Sequence, residues 1–443
     1  MRLAHRACAG ALALLLGACA VQAPRPEPRV PAPAPNAPAV LPVAPPPVPV
    51  AVEPVVQSPW DRLRARFRLD GCNHRPEVAR RAREYTRSPR HFAASWREGL
   101  PFLLIVLEEI ERRDLPGELA MLPYVESGYR PLPSKGNVPA GMWQLMPATA
   151  RGQGLDVRAD HDERLDAVAS TRAALDLLER YERLFGDWRL ADMAFNSGEF
   201  RVRKLVDGLG DRAFDADALA RLPLSPITHQ HLDRLLALSC IVADPARHGV
   251  ELPEPAEEDR LQAIELESAM DLRLAARLAG VPHADLHRWN AAHRRNRMAG
   301  APPHRLLLPA PAATRFAVNA AKVPASLWAN WREQRAGRSG TLASWASEHR
   351  VEVEVLALAN ALASTASVAA STQLLLPGKE PAALADARPQ PAAQGSHVVA
   401  AGDTLSGIAR RHSIPLRDLR RLNPRANGTL RIGQRLLLAP GAD

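Results

Sequence analysis

The sequence predicts a mainly α-helical domain followed by small α+β modules, each built as strand, helix, helix and strand. Three observations support this prediction. Apolar residues recur at three- and four-residue spacing through much of the first half, alternating strand patterns are scarce there, and the last third contains one pattern three times. A fixed internal repeat is typical of tandem small modules rather than of one larger fold. At 443 residues the chain has room for several such units.

The N-terminus indicates export. Basic residues precede an apolar stretch over 7–16, which is too short to span a bilayer but suits a secretory signal peptide. The sequence Leu-Gly-Ala-Cys at 16–19 resembles the lipobox of bacterial lipoproteins, so we expect a signal peptide over 1–18 and a lipid-modified Cys19. By analogy with bacterial lipoproteins, Ala20 in the next position, rather than Asp, implies an anchor on the periplasmic face of the outer membrane. An ordinary signal peptide that contains a cysteine is the alternative.

Residues 19–59 are dominated by Pro, Ala and Val and carry little charge. This composition cannot form a periodic apolar face, so it predicts an extended tether. At about 3.1 Å per residue in polyproline geometry, such a segment reaches on the order of 100 Å. That length would let an outer-membrane anchor present a domain to the wall beneath it. A passive spacer is the alternative.

Residues 60–250 are expected to form the helical domain. In one stretch, charged residues occupy the outer positions while apolar residues fall at helical spacing: Leu100, Leu103, Leu104, Leu107 and Ile110. This pattern is typical of a core helix. Similar apolar stripes occur further along, which favours a domain that is mainly α.

Two cysteines remain for the mature chain, Cys72 and Cys240, if Cys8 leaves with the signal peptide and Cys19 carries lipid. In an oxidising compartment these two could form a disulfide. Two buried free thiols are equally open, because the sequence does not show whether the Cα atoms come within bridging distance.

The repeats in the last third align without gaps. Residues 408–423 match 275–290 through shared Ala, Arg, Pro, Asp, Leu and a terminal Asn, and a further copy lies between them at 339–360. Each copy closes on an apolar run that leads into a proline. We therefore expect three modules of strand, two short helices and strand, over 258–310, 329–378 and 396–441.

Glu126 is a candidate general acid. It follows the largely apolar segment 119–125 and precedes Tyr129, so it is expected to end a short helix among apolar side chains. Such surroundings disfavour the charged form of a carboxylic acid and therefore favour a proton donor at neutral pH. Taken alone, a Glu in such a place is most often a solvated surface residue.

Two later segments change that interpretation. Gly-Met-Trp-Gln-Leu-Met-Pro at 141–147 supplies a glycine where backbone must approach closely, Trp143 for sugar stacking or core packing, and Gln144 as a two-way hydrogen-bonding group. Ala-Phe-Asn-Ser-Gly-Glu follows at 194–199. A carbohydrate site is expected to combine aromatic faces with amides, because sugars present both C–H faces and hydroxyls. The three segments in this order therefore indicate a carbohydrate site.

These segments resemble those of family 1 lytic transglycosylases, which have a goose-lysozyme-like fold. The matching stretches are 123–128, 134–135, 141–147, 162–166 and 194–198. The repeats resemble lysin motif (LysM) modules, which bind glycans that contain N-acetylglucosamine. The resemblance implies a lysozyme-like catalytic domain that cuts the β-1,4 bond between N-acetylmuramic acid and N-acetylglucosamine in peptidoglycan. No water would be consumed and the product would carry a 1,6-anhydro end, so the enzyme would be a carbon–oxygen lyase.

The resemblance assigns the chemistry to Glu126 alone. This residue would protonate the leaving oxygen and then, as carboxylate, take the proton from the muramic 6-hydroxyl, which attacks its own anomeric carbon. A second carboxylate is not required, and Glu199 and Asp162 are interpreted as structural. No metal and no cofactor are expected. The implied substrate-binding residues are Ser127, Gly141, Met142, Trp143, Gln144, Met146, Phe195, Asn196 and His231.

Two positions depart from the family pattern. Phe195 stands where a Tyr is usual, so a hydroxyl that would assist the catalytic Glu is missing. His231 replaces a second Tyr that faces the substrate. Both departures predict an altered rate or substrate preference. Because no paired His or Cys spacing accompanies it, His231 is not expected to be a metal ligand.

The third copy of the repeat is the expected glycan binder. The opening and the turn typical of LysM modules are retained there, namely Gly402, Asp403, Thr404, Leu405, Asn423 and Pro424. The two earlier copies are degenerate. They could serve as spacers, packing surfaces or weak secondary sites that raise local concentration.

Composition bears on the other function classes. A formal charge of +9 suits an acidic partner such as the peptidoglycan wall. The sequence has no basic tail and no aromatic-basic interleaving, which disfavours nucleic-acid binding. The alternative functions are a non-catalytic lipoprotein that tethers the wall to the membrane, and a muramidase-type hydrolase.

Overall fold

A computed structural model describes residues 57–69, 71–207, 215–300, 302–378, 396–399, 404–412, 414–423, 430 and 434–438. The predicted signal peptide, the predicted lipidation site Cys19 and almost all of the predicted tether lie outside these residues. So do Gly402, Asp403 and Pro424 of the third copy. The expectations for those positions therefore stay predictions.

Ten α-helices form the helical domain in the described part of the chain. Short 3-10 helices at Gly117–Met121 and Glu163–Leu165 lie between α3 and α4 and between α5 and α6. No helix in the described ranges is long and apolar enough to cross a membrane. The mainly α prediction is confirmed by α1 (Pro59–Arg64), α2 (Pro76–Tyr85), α3 (Pro89–Arg113), α4 (Leu122–Ser127), α5 (Pro147–Gly152), α6 (Ala167–Phe185), α7 (Trp188–Ser197), α8 (Glu199–Val206), α9 (Ala216–Ala220) and α10 (Pro226–Ala243).

Helix α3 is the long core helix of this domain. It begins at Pro89, whose fixed φ suits a first helical turn, and ends before Asp114, which adopts the left-handed conformation with φ 52°. The five apolar residues whose spacing predicted a core helix are all buried, with none more than 5% exposed. The helix packs against α6 and against the 3-10 helix Gly117–Met121. It therefore supports the segment that leads into α4.

Helices α7 and α10 complete the surroundings of α4. The first begins at a cap in which the Asp187 side chain accepts from the backbone N–H of Arg189, and the second begins where Ser225 accepts from the N–H of Thr228. Helix α10 packs against α2, α4 and α7. Side chains from α4, α7 and α10 can therefore meet in one place.

A disulfide joins Cys72, in the turn before α2, to Cys240 in α10, with the Cα atoms 5.0 Å apart. The structure thus chooses the disulfide over the two free thiols that the sequence left open. The two residues are 168 positions apart in the chain. Closing a loop of this size restricts the unfolded chain and typically stabilises a fold by about 2–5 kcal/mol.

The last third forms three copies of the predicted strand, helix, helix and strand unit. The paired strands are antiparallel in each copy. The first copy contains β1 (Leu261–Leu266), α11 (Leu272–Ala279), α12 (His283–Trp289) and β2 (His304–Pro309), and α13 (Ala310–Ala320) follows it. The second contains β3 (Trp331–Arg335), β4 (Gly340–Thr341), α14 (Leu342–His349), α15 (Val353–Asn360), β5 (Ser367–Val368) and β6 (Gln373–Pro377). The third contains β7 (Ser396–Val398), α16 (Leu405–Arg411), α17 (Leu416–Leu422) and β8 (Arg435–Leu437).

The three copies differ in the apolar core that they join. The helical domain and the first and second copies contribute to one continuous core. The third copy buries a small core of its own, made of Val399, Ile408, Ala409, Leu419, Leu436 and Leu438. The first two copies are therefore packed as part of the main body, whereas the third has an independent interior.

Candidate active site

Glu126 is presented by the short helix α4, which ends at Gly128 in the left-handed conformation with φ 62°. The hydroxyl of Ser127 holds this helix in place. It is 5% exposed, donates to the carbonyl oxygen of Met142 at 3.0 Å, and accepts from the backbone N–H of Arg130 at 3.1 Å. The predicted substrate contact of Ser127 is therefore corrected to a positioning role, because its side chain is occupied inside the protein.

The 141–147 segment passes close to the backbone at Arg164, and only glycine fits at that crossing. Gly141 has φ 80°, and a Cβ atom there would lie 1.7 Å from the carbonyl oxygen of Arg164. The side chain of Gln144 donates to the carbonyl oxygen of Gly141 at 2.6 Å. The close backbone approach that the sequence predicted for Gly141 is observed, although the neighbour is protein backbone.

A buried ion pair supports the same segment from behind. Arg164 is 2% exposed and its guanidinium donates to Asp162 at 2.8 Å, to the carbonyl of Val138 at 2.9 Å and to the carbonyl of Leu145 at 3.1 Å. Asp162 is 1% exposed. These contacts give Asp162 a structural role. Glu199 pairs with Arg180 at 2.7 Å, and its structural interpretation stays a prediction.

Trp143 is a packing residue in this structure. Its ring is fully buried, its indole N–H donates to the hydroxyl of Thr171 at 3.1 Å, and its edge meets the ring of Phe195. Met142 is 2% exposed. Of the two roles that the sequence left open for Trp143, sugar stacking and core packing, the structure shows core packing. The predicted substrate contact of Met142 is corrected to core packing, since its side chain has no surface to offer a sugar.

Other predicted substrate-binding residues do reach the surface. Met146 is 37% exposed, Asn196 at the end of α7 is exposed, and Gln144 and Phe195 are half-buried. These four combine two amides with an aromatic face and a flexible apolar side chain. That composition is suited to sugar hydroxyls and C–H faces, so their substrate contacts stay predictions.

His231 lies between two carboxylates. Its Nε2 is 2.9 Å from Oε1 of Glu126, and its Nδ1 is 2.9 Å from Oδ1 of Asp192. The exposed fraction of the side chain falls along this row, from 16% at Glu126 to 4% at His231 and none at Asp192. The prediction that His231 faces the substrate is corrected, because the imidazole is buried and contacts the catalytic candidate instead.

The charge on His231 follows from this arrangement. Burial by itself lowers the pKa of an imidazole, but the carboxylates of Asp192 and Glu126 outweigh burial and raise the pKa of His231 to about 10. His231 is therefore a cation at neutral pH. The sequence predicted apolar surroundings for the Glu126 carboxyl. The structure instead places a positive charge in hydrogen-bonding contact with it.

Asp192 is the functional candidate that sequence reasoning missed. It lies inside the run Leu-Ala-Asp-Met-Ala at 190–194 of α7, where its four neighbours are all buried. A lone acidic residue within an apolar helical run was the available signal, because a buried carboxylate requires a partner. Its partner, His231, is 39 positions away, so the pairing became visible only in the fold.

The LysM-type residues that can be described are engaged within the third copy. The Thr404 hydroxyl caps α16 by accepting from the N–H of Gly407 at 3.0 Å, and Leu405 is the first residue of that helix. Asn423 donates to the carbonyls of Leu419 and Leu437 at 2.8 Å. These contacts give Thr404 and Asn423 a structural role, and glycan binding by them stays a prediction.

The described residues contain no group of three or more His, Cys, Asp or Glu side chains placed to hold a metal ion. The site is instead built from one partly exposed carboxyl, one buried imidazolium, one buried carboxylate and several exposed polar and apolar side chains. Such a set can donate and accept a proton beside a bound polymer.

Three family models match parts of the chain. The Transglycosylase SLT domain matches residues 106–217, which include Glu126 and Asp192. The Lytic transglycosylase MltD, LysM-like domain matches residues 260–325, and the LysM domain matches 397–439.

Known proteins match over longer stretches. The chain is 32% identical over 338 residues to the membrane-bound lytic murein transglycosylase D of Escherichia coli (strain K12), which is 73% of this chain and 73% of that protein. The protein of the same name from Escherichia coli O6:H1 (strain CFT073) matches equally. Among solved structures, an inactive mutant of the lytic transglycosylase Slt of Pseudomonas aeruginosa matches with a TM-score of 0.27 and 21% identity, over 33% of this chain and 24% of that one.

Proposed function

The chain belongs to the family of membrane-bound lytic murein transglycosylase D, and we propose that Glu126 is the single acid/base of its reaction. The protein is a lytic transglycosylase that acts on peptidoglycan. The observation that supports Glu126 is its position. Helix α4 holds its carboxyl partly exposed, beside the 141–147 segment and in contact with His231.

The proposed reaction uses the Glu126 carboxyl group twice, first as an acid and then as a base. Glu126 donates it to the oxygen of the β-1,4 bond between N-acetylmuramic acid and N-acetylglucosamine, and the C1–O bond breaks as its electron pair moves to that oxygen. The carboxylate then removes the proton from the muramic 6-hydroxyl, whose oxygen bonds to C1 and closes the 1,6-anhydro ring. Glu126 ends the cycle protonated, so the reaction requires no water and no second carboxylate.

The glycan would lie across the exposed side chains near Glu126. Gln144 and Asn196 would hydrogen-bond to sugar hydroxyls, while Phe195 and Met146 would contact the C–H faces. The exposure of these four residues supports this assignment. Gly141, Ser127 and Trp143 would act from behind by fixing the backbone on which these groups stand.

We extend the proposal to the two ends of the chain. Lipid on Cys19 would anchor the protein to the periplasmic face of the outer membrane, and the tether over 19–59 would carry the catalytic domain over 60–250 to the wall. The membrane-bound relatives support an anchor of some kind. At the other end, the LysM module over 396–441 would bind glycan strands, which the match to the LysM domain supports.

A digest of purified sacculi tests the reaction. The full chain is incubated with sacculi, and the soluble products are identified by mass spectrometry. We expect 1,6-anhydromuropeptides from the native protein and none from Glu126→Gln, which keeps the shape of the side chain but cannot donate the acid proton. Reducing ends in place of anhydro ends would indicate a hydrolase, and no soluble product from the native chain would indicate a non-catalytic tether.

Glu199→Gln is the matched control. It makes the same carboxyl-to-amide change at the other glutamate near the site, whose observed partner is Arg180. We expect anhydromuropeptide release to be retained within a few-fold. Loss of release comparable to that of Glu126→Gln would contradict the single-carboxylate reaction.

A further inference from the structure

Hydrogen-bond chemistry restricts the protonation of the Asp192, His231 and Glu126 row. A neutral imidazole has one N–H donor and one bare nitrogen. Here both ring nitrogens lie 2.9 Å from a carboxylate oxygen. A bare nitrogen held 2.9 Å from a carboxylate oxygen would be repulsive, so both ring nitrogens carry protons. The Nε2–H donates to Glu126, while the Nδ1–H faces Asp192 in an ion pair that lies outside hydrogen-bond geometry. The arrangement fits an imidazolium flanked by two carboxylate groups.

We propose that Asp192 and His231 are positioning residues of the transglycosylase reaction: Asp192 keeps His231 protonated, and the Nε2–H of His231 orients the Glu126 carboxyl and stabilises the carboxylate that forms when the leaving oxygen is protonated. This inference rests on the proposed role of Glu126. His231 transfers no proton in the reaction. It acts through Glu126, and Asp192 acts through His231.

The charge balance of the row favours this role. With Glu126 protonated, the Asp192 carboxylate and the His231 imidazolium cancel, and the row is neutral. When Glu126 gives its proton to the glycosidic oxygen, the new negative charge appears 2.9 Å from an N–H that is already charged and already placed. Donors fixed in advance where charge develops are an effective source of catalysis, because they need no reorganisation during the reaction.

The packing of the row supports a built arrangement rather than a chance contact. The three residues come from three different helices, α4, α7 and α10, and α10 packs against both of the others. Asp192 is fully buried, and within the described chain its carboxylate has no partner other than the imidazole. A buried carboxylate without a cation is strongly unfavourable. Asp192 therefore holds a charged His231 in the native fold.

Other charged groups do not supply this effect. The elements packed against α10 are α1, α2, α4, α7 and the 3-10 helix at Gly117–Met121. Among the described residues, the charges that raise the pKa of His231 most are those of Asp192 and Glu126. Neighbouring ionisable groups contact other partners. Arg64 donates to the Val242 carbonyl, Arg75 donates to Asp233, and Glu118 accepts from the backbone N–H groups of Arg68 and Leu69. Tyr85 lies near Arg234, and the ring of His229 contacts the Leu222 carbonyl.

Asp192→Asn tests the inference through the pH dependence of the digest. The amide keeps the shape of the carboxylate but carries no charge, so the His231 imidazole loses its second proton at lower pH. Once neutral, the imidazole stabilises the Glu126 carboxylate that forms in the reaction less. We expect anhydromuropeptide release to decline at a lower pH than in the native protein, by about one pH unit or more, because the imidazolium is lost at lower pH. We also expect the rate at the optimum to fall about tenfold.

His231→Gln is the second variant. It removes the charge of the imidazole, while the amide side chain still fills much of the space. It should lower the rate of release at least as far as Asp192→Asn does. The double variant Asp192→Asn/His231→Gln should lower the rate no further than His231→Gln alone, because Asp192 acts only through His231. In an independent readout, NMR of the ring protons should show His231 titrating near pH 10 in the native protein and at least one unit lower in Asp192→Asn.

Asp233→Asn is the matched control. Asp233 is a buried acidic residue of α10, two positions from His231, and it pairs with Arg75 at 2.7 Å rather than with the imidazole. This variant should lower the melting temperature without moving the pH profile. If Asp192→Asn and His231→Gln both keep the native rate and pH profile while Glu126→Gln is inactive, the row is a packing feature and the inference is wrong. An active Glu126→Gln would instead overturn the proposed function.

Discussion

The first and third copies of the repeat contain the same internal clamp in different surroundings. In each, the asparagine that ends the second helix donates to the carbonyl four residues earlier and exchanges two hydrogen bonds with the last strand. Asn290 makes these bonds with Leu286 and Leu307, and Asn423 makes them with Leu419 and Leu437, at 2.7 to 2.9 Å. The shared motif therefore encodes the fold of the unit.

The first copy is bonded into the helical domain. The backbone N–H of Asp162 donates to the carbonyl of Ala292 at 3.0 Å, the N–H of Arg294 donates to the carbonyl of Asp160 at 3.1 Å, and the Arg294 guanidinium donates to the carbonyl of Ser134 at 2.8 Å. These contacts include the backbone of Asp162, whose side chain forms the ion pair with Arg164 that supports the 141–147 segment. Of the roles open to this degenerate copy, the structure favours a packing surface that braces the active site.

The third copy is attached far less tightly. It has its own apolar core, and its Arg417, 55% exposed, lies 3.8 Å from Glu163 of the helical domain. An exposed ion pair of this kind contributes at most about 1 kcal/mol. The comparison teaches that one repeat unit can become part of an enzyme body while another keeps the independence expected of a binding module.

The largest effect should come from removing the Asp162 carboxylate, which pairs with Arg164 and lies 3.7 Å from the Arg294 guanidinium of the first copy. Asp162→Ala leaves the guanidinium of Arg164 buried without its carboxylate, at a cost of about 3–5 kcal/mol. We expect the main unfolding transition in calorimetry to move to a much lower temperature, and anhydromuropeptide release to fall with it. Asp160→Ala, a surface acid in the same turn, should change stability by less than about 0.5 kcal/mol. Equal melting of the two variants would contradict the bracing role.

An intermediate effect should come from the clamp of the first copy. Asn290→Ala removes three hydrogen bonds around a side chain that is 5% exposed, and water cannot readily replace them. The expected cost is about 1–3 kcal/mol. Because this copy shares its core with the helical domain, the loss should lower the same main transition in calorimetry. A separate early transition, with the main one unchanged, would show that the first copy unfolds on its own.

Much of this architecture was predictable from local pattern. Helical spacing identified the core helix α3, the repeat alignment predicted three units of the observed type, and the order of motifs singled out Glu126. What could not be predicted depends on distant contacts. Trp143 was equally compatible with a sugar face and with the core until Thr171 and Phe195 closed around it. Likewise, spacing along the chain does not show which residues from three helices will meet.

The same limit explains the revisions at His231 and Asp192. His231 was expected to replace a substrate-facing group, but the packing of α10 against α4 and α7 turns it inward. Asp192 carried only the weak signal of one acid within an apolar run. Docking of the first copy was equally hidden, since Asp162 and Ala292 are bonded through backbone atoms that any residue would supply. The sequence motifs therefore identified the catalytic candidate Glu126 but not the residues and contacts that position it.

The smallest effect on the main body should come from the clamp of the third copy. Asn423→Ala removes the same three hydrogen bonds as Asn290→Ala, but two of them are exposed, so water replaces part of what is lost and the local cost is about 0.5–1.5 kcal/mol. Because this copy has its own core, the loss should stay within it. Calorimetry should show the main transition unchanged, while the amount of protein that sediments with sacculi falls. A main transition lowered as far as in Asn290→Ala would mean that the third copy shares the stability of the body, and the contrast between the copies would then lie in sequence alone.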